Sequence, residues 1–149
     1  MEAILPASED EIIPSVPQFI PSVLIVDDNP FNRDVCRRAL EFVGYRTTEA
    51  DSGETALDLL KQQEFHMLLL DLQMPRVSGY DVLAAARDNP ANKEMLIIVM
   101  TAHSPQVADE TKVDADRIMF KPIDIASFAT FATQYRNMLK DKFKHQPLS

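Results

Sequence analysis

Five residues of this 149-residue chain carry side chains suited to one piece of chemistry: Asp27, Asp28, Asp71, Thr101 and Lys121. Each stands directly behind a short apolar run. Asp27-Asp28 follows Val23–Val26, Asp71 follows Met67–Leu70, Thr101 follows Leu96–Met100, and Lys121-Pro122 follows Ile118–Phe120. Singly, such residues are ordinary turn and capping chemistry. Together at four run ends they bring three carboxylates, a hydroxyl and an ammonium to one place. Two carboxylates about 4–5 Å apart repel by roughly 3–4 kcal/mol at an effective dielectric of about 20. Three would protonate or splay unless cations bridge them. Lys121 supplies one charge and a hard divalent ion the rest. Oxygen ligands with no nearby His or Cys favour Mg²⁺ or Mn²⁺, which keep several waters and accept a phosphate oxygen. A carboxylate partly neutralised in this way can attack phosphorus. Lys121 is suited to ion-pair with the phosphoryl group, and Thr101 to hydrogen-bond another of its oxygens.

The elements that must position these residues alternate. The four apolar runs lack period-two alternation and read as strands buried on both faces, with Tyr45–Glu49 as an edge-like strand. Between them lie helical stretches. Asn29-Pro30 starts one in cap order, ending at Gly44, and Ser52 with Thr55 starts the second. Ser78 to Asp88 forms the third, and Ser104-Pro105 opens a short fourth. Phe128, Phe131, Tyr135, Met138 and Leu139 form a one-sided stripe on the fifth. Five strand–helix repeats with short connections imply an α/β doubly wound parallel sheet covered on both faces. Ligands in that architecture sit beyond the carboxyl ends of the strands, where the five residues fall.

Composition narrows the function classes. The chain has 15 basic and 23 acidic residues, a net charge of −8, which argues against a nucleic-acid-binding surface. Apolar runs such as Met95–Met100 are too short to span a bilayer, so no membrane association is expected. Glu2 and the lack of any basic residue before Arg33 argue against a secretory signal, and a cytoplasmic location is expected. One cysteine, Cys36, rules out an internal disulfide framework and reads as a small core hydrophobe. Histidines at 66, 103 and 145 form no metal set, and His66 reads as a surface or strand-edge residue. Three segments are expected. Residues 1–21 hold four prolines and four acidic residues and form a flexible extension, residues 22–140 form the domain, and residues 141–149 form a basic tail.

The constellation resembles the receiver domain of two-component response regulators. The residues that carry the resemblance are Val26-Asp27-Asp28-Asn29, Asp71-Leu72-Gln73-Met74-Pro75-Arg76-Val77-Ser78-Gly79, Thr101-Ala102 and Lys121-Pro122. Asp27-Asp28-Asn29 with Asn32-Arg33 is most similar to receivers of hybrid sensor kinases, here as a stand-alone receiver. The resemblance implies a flavodoxin-like (βα)5 three-layer sandwich with sheet order 2-1-3-4-5. It implies Asp71 as phosphoacceptor, and Asp27, Asp28, Asp71 and the backbone carbonyl of Gln73 around Mg²⁺ (or Mn²⁺). It also implies Thr101, Ala102 and Lys121 around the phosphoryl group, and a cis Lys121–Pro122 bond. The partners implied are a sensor histidine kinase or histidine phosphotransfer protein, a downstream protein target, and a homodimer through the fourth and fifth helices.

The chain departs from the family pattern at several positions. Ile118 stands where the family has Tyr or Phe as a switch, and the segment between Thr101 and Lys121 is a residue or two short. Asp114 stands where glycine is common. Gln73 and His103 occupy the two variable positions that modulate phosphoryl lifetime. The expected function is a phosphorylation-controlled switch and not an enzyme. A receiver-like scaffold acting without phosphorylation is the alternative favoured by Ile118. A small Mg²⁺-dependent phosphohydrolase lacks its second acid, because Asp71-Leu72-Gln73 has no Asp at the third position. Gly44, Gly53 and Gly79 make no phosphate-binding glycine loop.

Overall fold

Local signals set the helix starts. Asn29 caps α1 (Pro30–Phe42): its side-chain oxygen accepts from the amides of Phe31 at 2.8 Å and Asn32 at 3.2 Å, with Pro30 in the first turn. Ser52 caps α2 (Gly53–Gln62) through the Thr55 amide, and Ser78 and Asp81 form a reciprocal capping box on α3 (Gly79–Asp88). A 3₁₀ turn at Pro90–Asn92 follows, and the last described element is α4 (Ile125–Lys144). After α1, Gly44 adopts φ +99°, a left-handed conformation that glycine takes without penalty. The computed structural model describes residues 18–102 and 113–144. The fourth helix expected from Ser104-Pro105 lies outside them, so the expected fifth helix is α4.

The strands are β1 (Ser22–Val26), β2 (Arg46–Ala50), β3 (Met67–Asp71), β4 (Leu96–Ala102) and β5 (Arg117–Lys121). All neighbours pair in parallel, in the order β2-β1-β3-β4-β5. This is the expected doubly wound arrangement. Alternation along the strands splits the core in two. Leu24, Val26, Leu68, Leu70, Ile97 and Val99 pack with Ala56 and Leu60 of α2 and Val82, Leu83 and Ala86 of α3. Val23, Ile25, Met67, Leu69, Ile98 and Met100 pack with Cys36 and Leu40 of α1 and Phe128 and Ala132 of α4. Burial pushes the Cys36 thiol up to about 11, with the Asp27 charge adding to the effect, so it is a protonated core group at neutral pH.

Strand ends differ from the sequence reading by a residue or two. Asp71 and Lys121 are the last residues of β3 and β5, and Thr101 is the last but one of β4, instead of the first beyond them, because backbone ladders pair whatever the side chain. β2 starts at Arg46; Tyr45 is instead buried against α4, its hydroxyl donating to the Ala132 carbonyl at 2.8 Å. Among the described residues no helix is long and apolar enough to cross a membrane.

His66 is more than a surface residue. It is half-buried before β3, and its Nδ1 accepts the Ser22 amide at 3.0 Å at the start of β1. Phe19 stands edge-on to its ring with centroids 5.5 Å apart, and also contacts the Phe143 ring at 5.1 Å. Burial holds the imidazole below its ordinary pKa of 6.5, and the nearby Glu64 only partly opposes this. The unfolded chain therefore takes up the proton first. The contribution of His66 is complete above pH 6.5 and is lost as pH falls through its folded value. The melting temperature of the wild type is expected to drop over this interval, and His66→Gln to remove part of that drop. Parallel profiles for the two proteins between pH 8 and pH 5 would refute this.

Candidate functional site

Parallel strands all end at the same edge of the sheet, so Asp27, Asp71, Thr101 and Lys121 converge there. Asp27 extends the β1 ladder, its amide donating to the Ala50 carbonyl at 3.1 Å. Its side chain is buried, with Oδ1 accepting the Asn29 amide at 2.9 Å and Oδ2 lying 3.3 Å from Lys121 Nζ. Asp71 is buried too. Its Oδ1 accepts the Gln73 amide at 2.9 Å, and its Oδ2 is 3.2 Å from the same ammonium. Lys121 thus bridges two buried carboxylates from strands β1 and β3. Asp28, in the turn after Asp27, is exposed, and one oxygen from each of Asp27, Asp28 and Asp71 lies within 4.8 Å of the others.

The charges do not balance. Burial raises the pKa of Asp71, and the charge of Asp27 raises it further; the Gln73 amide and Lys121 pull the other way without overcoming them. Burial alone would lower Lys121, but Asp71 and then Asp27 outweigh it, and the ammonium is held above its ordinary value. Three carboxylates and one ammonium leave a surplus of negative charge in a partly dry cleft, with oxygen donors only. A hard divalent cation fits that donor set. A second observation concerns Thr101. Its Oγ1 is buried and has no hydrogen-bond partner among the described residues, a situation that costs about 1–3 kcal/mol where no other group supplies one. An incoming oxyanion would supply that partner.

The loop behind Asp71 is held tightly. Leu72 and Met74 are buried, and the Gln73 side-chain oxygen accepts the Ala102 amide at 3.3 Å, tying the ends of β3 and β4 together. Gly79 has a steric role that the local pattern does not reveal. A Cβ there would lie 2.2 Å from the Asp71 carbonyl oxygen and 2.4 Å from Leu72 Cα. Backbone cannot yield as a flexible side chain does, so Gly79→Ala is expected to destabilise the fold by about 1–3 kcal/mol. Denaturant melts read this directly; an unchanged midpoint would refute it.

The structure places the other expected site residues as follows. The Lys121–Pro122 peptide bond is cis. Ala102 is half-buried at the rim and Gln73 is exposed. Ile118 is half-buried, pairs in register with Val99 and packs against the α2/α3 side of the core. Phe120 pairs in register with Thr101. His103 lies outside the described residues. Arg33, which the residue chemistry had not singled out, donates from Nη1 to the Asp27 carbonyl at 2.8 Å and from Nε to Glu49 at 3.0 Å. No local signal announces this, because Glu49 is on another strand.

Comparison with known proteins accords with this geometry. The family profile of the response regulator receiver domain matches residues 23–132. The polar-differentiation response regulator DivK of Brucella ovis is 32% identical over 117 residues, covering 76% of this chain and 94% of that protein. The virulence sensor protein BvgS of Bordetella pertussis is 33% identical over 132 residues, covering 84% of this chain. The match spans only 11% of the length of BvgS. Among solved structures, the receiver domain of a sensor histidine kinase from Pseudomonas aeruginosa PAO1, with magnesium in its active-site cleft, superposes with a TM-score of 0.71 at 24% identity. It covers 80% of this chain and 99% of that one. The response regulator TrrA of Thermotoga maritima, in complex with Mg²⁺ and BeF, gives a TM-score of 0.68 at 28% identity, covering 77% and 98%.

Proposed function

The chain belongs to the response regulator receiver family, and from that footing we propose that it is a phosphorylation-controlled switch whose acceptor is Asp71. Receiver domains are regulatory modules and not enzymes in the ordinary sense. The observation that carries the proposal is the bridging of buried Asp27 and Asp71 by Lys121 beside the orphaned Thr101 hydroxyl. In this reading a carboxylate oxygen of Asp71 attacks the phosphorus of a partner's phosphohistidine. The P–N bond breaks, and the imidazole leaves and takes up a proton. Asp27, Asp28, Asp71 and the Gln73 carbonyl would hold Mg²⁺, which supplies charge neutralisation as the phosphoryl group arrives. Lys121 exchanges one carboxylate contact for the incoming phosphoryl oxygen, and Thr101 Oγ1 donates to another.

The surroundings suit a protein donor. Beside Lys121 opens a cleft of about 160 Å³, lined by Phe31, Val35, Cys36, Met100, Pro122 and Ile123 among others. Phe31 is 72% exposed at its edge, a large apolar surface at the start of α1. A histidine kinase or histidine phosphotransfer protein would present its histidine over this rim. Phosphorylation then shifts the population between two conformations and with it the contacts to a downstream target. With Ile118 half-buried against the core in place of an aromatic, that shift would run through Thr101 and the β4–β5 segment without an aromatic rotamer.

Incubation with acetyl phosphate and Mg²⁺ followed by intact-mass spectrometry tests this. A single phosphoryl adduct, absent from a parallel EDTA sample, is expected. No adduct together with no binding of beryllofluoride would overturn the proposal in favour of a scaffold that acts without phosphorylation.

A further inference from the structure

We propose that Arg33 is a positioning residue for the cation site, holding the Asp27–Asp28 peptide in the orientation that presents Asp28. The proposal rests on the reading that the three carboxylates bind a divalent cation. Asp27 is anchored at its amide by Ala50 and at its carboxylate by Asn29 and Lys121. None of these fixes the peptide plane leading on to Asp28. Arg33 does, because its Nη1 donates to the Asp27 carbonyl at 2.8 Å while its Nε donates to Glu49 Oε1 at 3.0 Å. Glu49 lies on β2, in register with Ile25 of β1, and its other oxygen is 3.6 Å from Arg37. One planar guanidinium, largely shielded from solvent, therefore ties the end of β1 to the neighbouring strand.

Asp28 depends on this tie more than the other two acids. Asp27 and Asp71 are buried and bonded to Lys121, whereas Asp28 is exposed. Packing does not hold its carboxylate, so the backbone before it must. Groups that orient metal ligands are typically worth 10- to 100-fold in affinity.

Charge and position predict opposite signs, which makes the proposal decidable. If Arg33 acted only as a nearby cation, its removal would strengthen binding of Mg²⁺. If it positions Asp28, removal weakens binding. Calorimetric titration of the full chain with Mg²⁺ alone, at fixed ionic strength, should show Arg33→Met about tenfold weaker than wild type. Arg33→Lys keeps the charge but offers no fork to span two acceptors, and Glu49→Gln loosens the far anchor. Both are expected to weaken binding several-fold, and they carry the test if Arg33→Met does not fold. Melting temperatures with EDTA and with Mg²⁺ separate positioning from mere stability. Positioning shrinks the increment that Mg²⁺ adds, whereas a purely structural role lowers both temperatures equally. Equal or tighter binding by the variants, or an unchanged increment, would overturn the proposal alone. Failure of the wild type to bind Mg²⁺ would overturn the cation reading and this proposal with it.

Discussion

Asp71→Asn is expected to abolish phosphoryl uptake while leaving the fold intact. An amide oxygen is a poor nucleophile and carries no charge for a cation to share, so the loss should be complete and not partial. The substitution conserves shape. The Asn side-chain oxygen can still accept the Gln73 amide that Asp71 Oδ1 accepts at 2.9 Å, and Lys121 retains Asp27 at 3.3 Å. Burial, and then the charge of Asp27, penalise the ionised form of Asp71 in the folded chain. Removing that charge should therefore leave the melting temperature in EDTA no lower than that of the wild type. Intact mass after acetyl phosphate and Mg²⁺ is the readout. An adduct persisting in the variant would place the acceptor elsewhere, with Asp28 the first alternative. A variant that lost its adduct by unfolding would betray itself in the melt.

Asp28→Asn carries the second large effect, a fall in Mg²⁺ affinity on the order of 100-fold. Of the three clustered acids it is the exposed one, without the Lys121 contact that compensates Asp27 and Asp71. An anionic oxygen matters most to a hard cation that strips its own water reluctantly, and a neutral amide replaces it poorly. Because Asp28 packs against nothing in the core, stability without metal should hardly change. That contrast separates the two acidic neighbours in the turn. Asp28→Asn should lose the cation and keep the apo fold, whereas changes at Asp27 also disturb the bridge to Lys121. Calorimetric titration beside an EDTA melt measures both halves, and an unaltered Mg²⁺ isotherm would remove Asp28 from the cation site.

Both effects depend on a site built at strand ends. Lys121 stands between Asp27 and Asp71, with its ammonium close to both carboxylates. On the proposed reading, that ammonium is already within reach of the Asp71 oxygen, and a phosphoryl group arriving there would meet it and the Thr101 hydroxyl, which has no partner among the described residues, without a search. Preorganised groups of this kind need little reorganisation at the moment of transfer. The tie between Gln73 and Ala102 links the loop after Asp71 to the end of β4, and on the proposed reading it would give phosphorylation of Asp71 a short path to Thr101. Beyond Ala102 the chain leaves the described residues, and with it the position of His103.

Residue pattern alone was enough for the order of the described elements, the parallel sheet and the five residues at its carboxyl edge. These rest on short-range physics. The buried strands β1, β3 and β4 reveal themselves as unbroken apolar runs, whereas β5, read the same way from Ile118–Phe120, is a half-buried edge strand. Asn29, Ser52 and Ser78 announce helix starts because their caps bond amides two or three residues away. Once alternation dictates parallel strands, their polar ends must meet. Contacts between residues distant in the chain became visible only in the folded structure. Arg33 reaches Glu49 on β2, the Tyr45 hydroxyl finds Ala132 on α4, and the His66 ring takes the Ser22 amide. Gly79 leaves no room for a Cβ against the backbone of Asp71, and the Thr101 hydroxyl finds no partner among the described residues. None of these has a local signature, since a side chain's partner across the fold is set by packing geometry and not by the residues beside it. The chemistry was therefore legible as an inventory of groups at one edge, while the bonds that orient those groups became visible only with the chain folded.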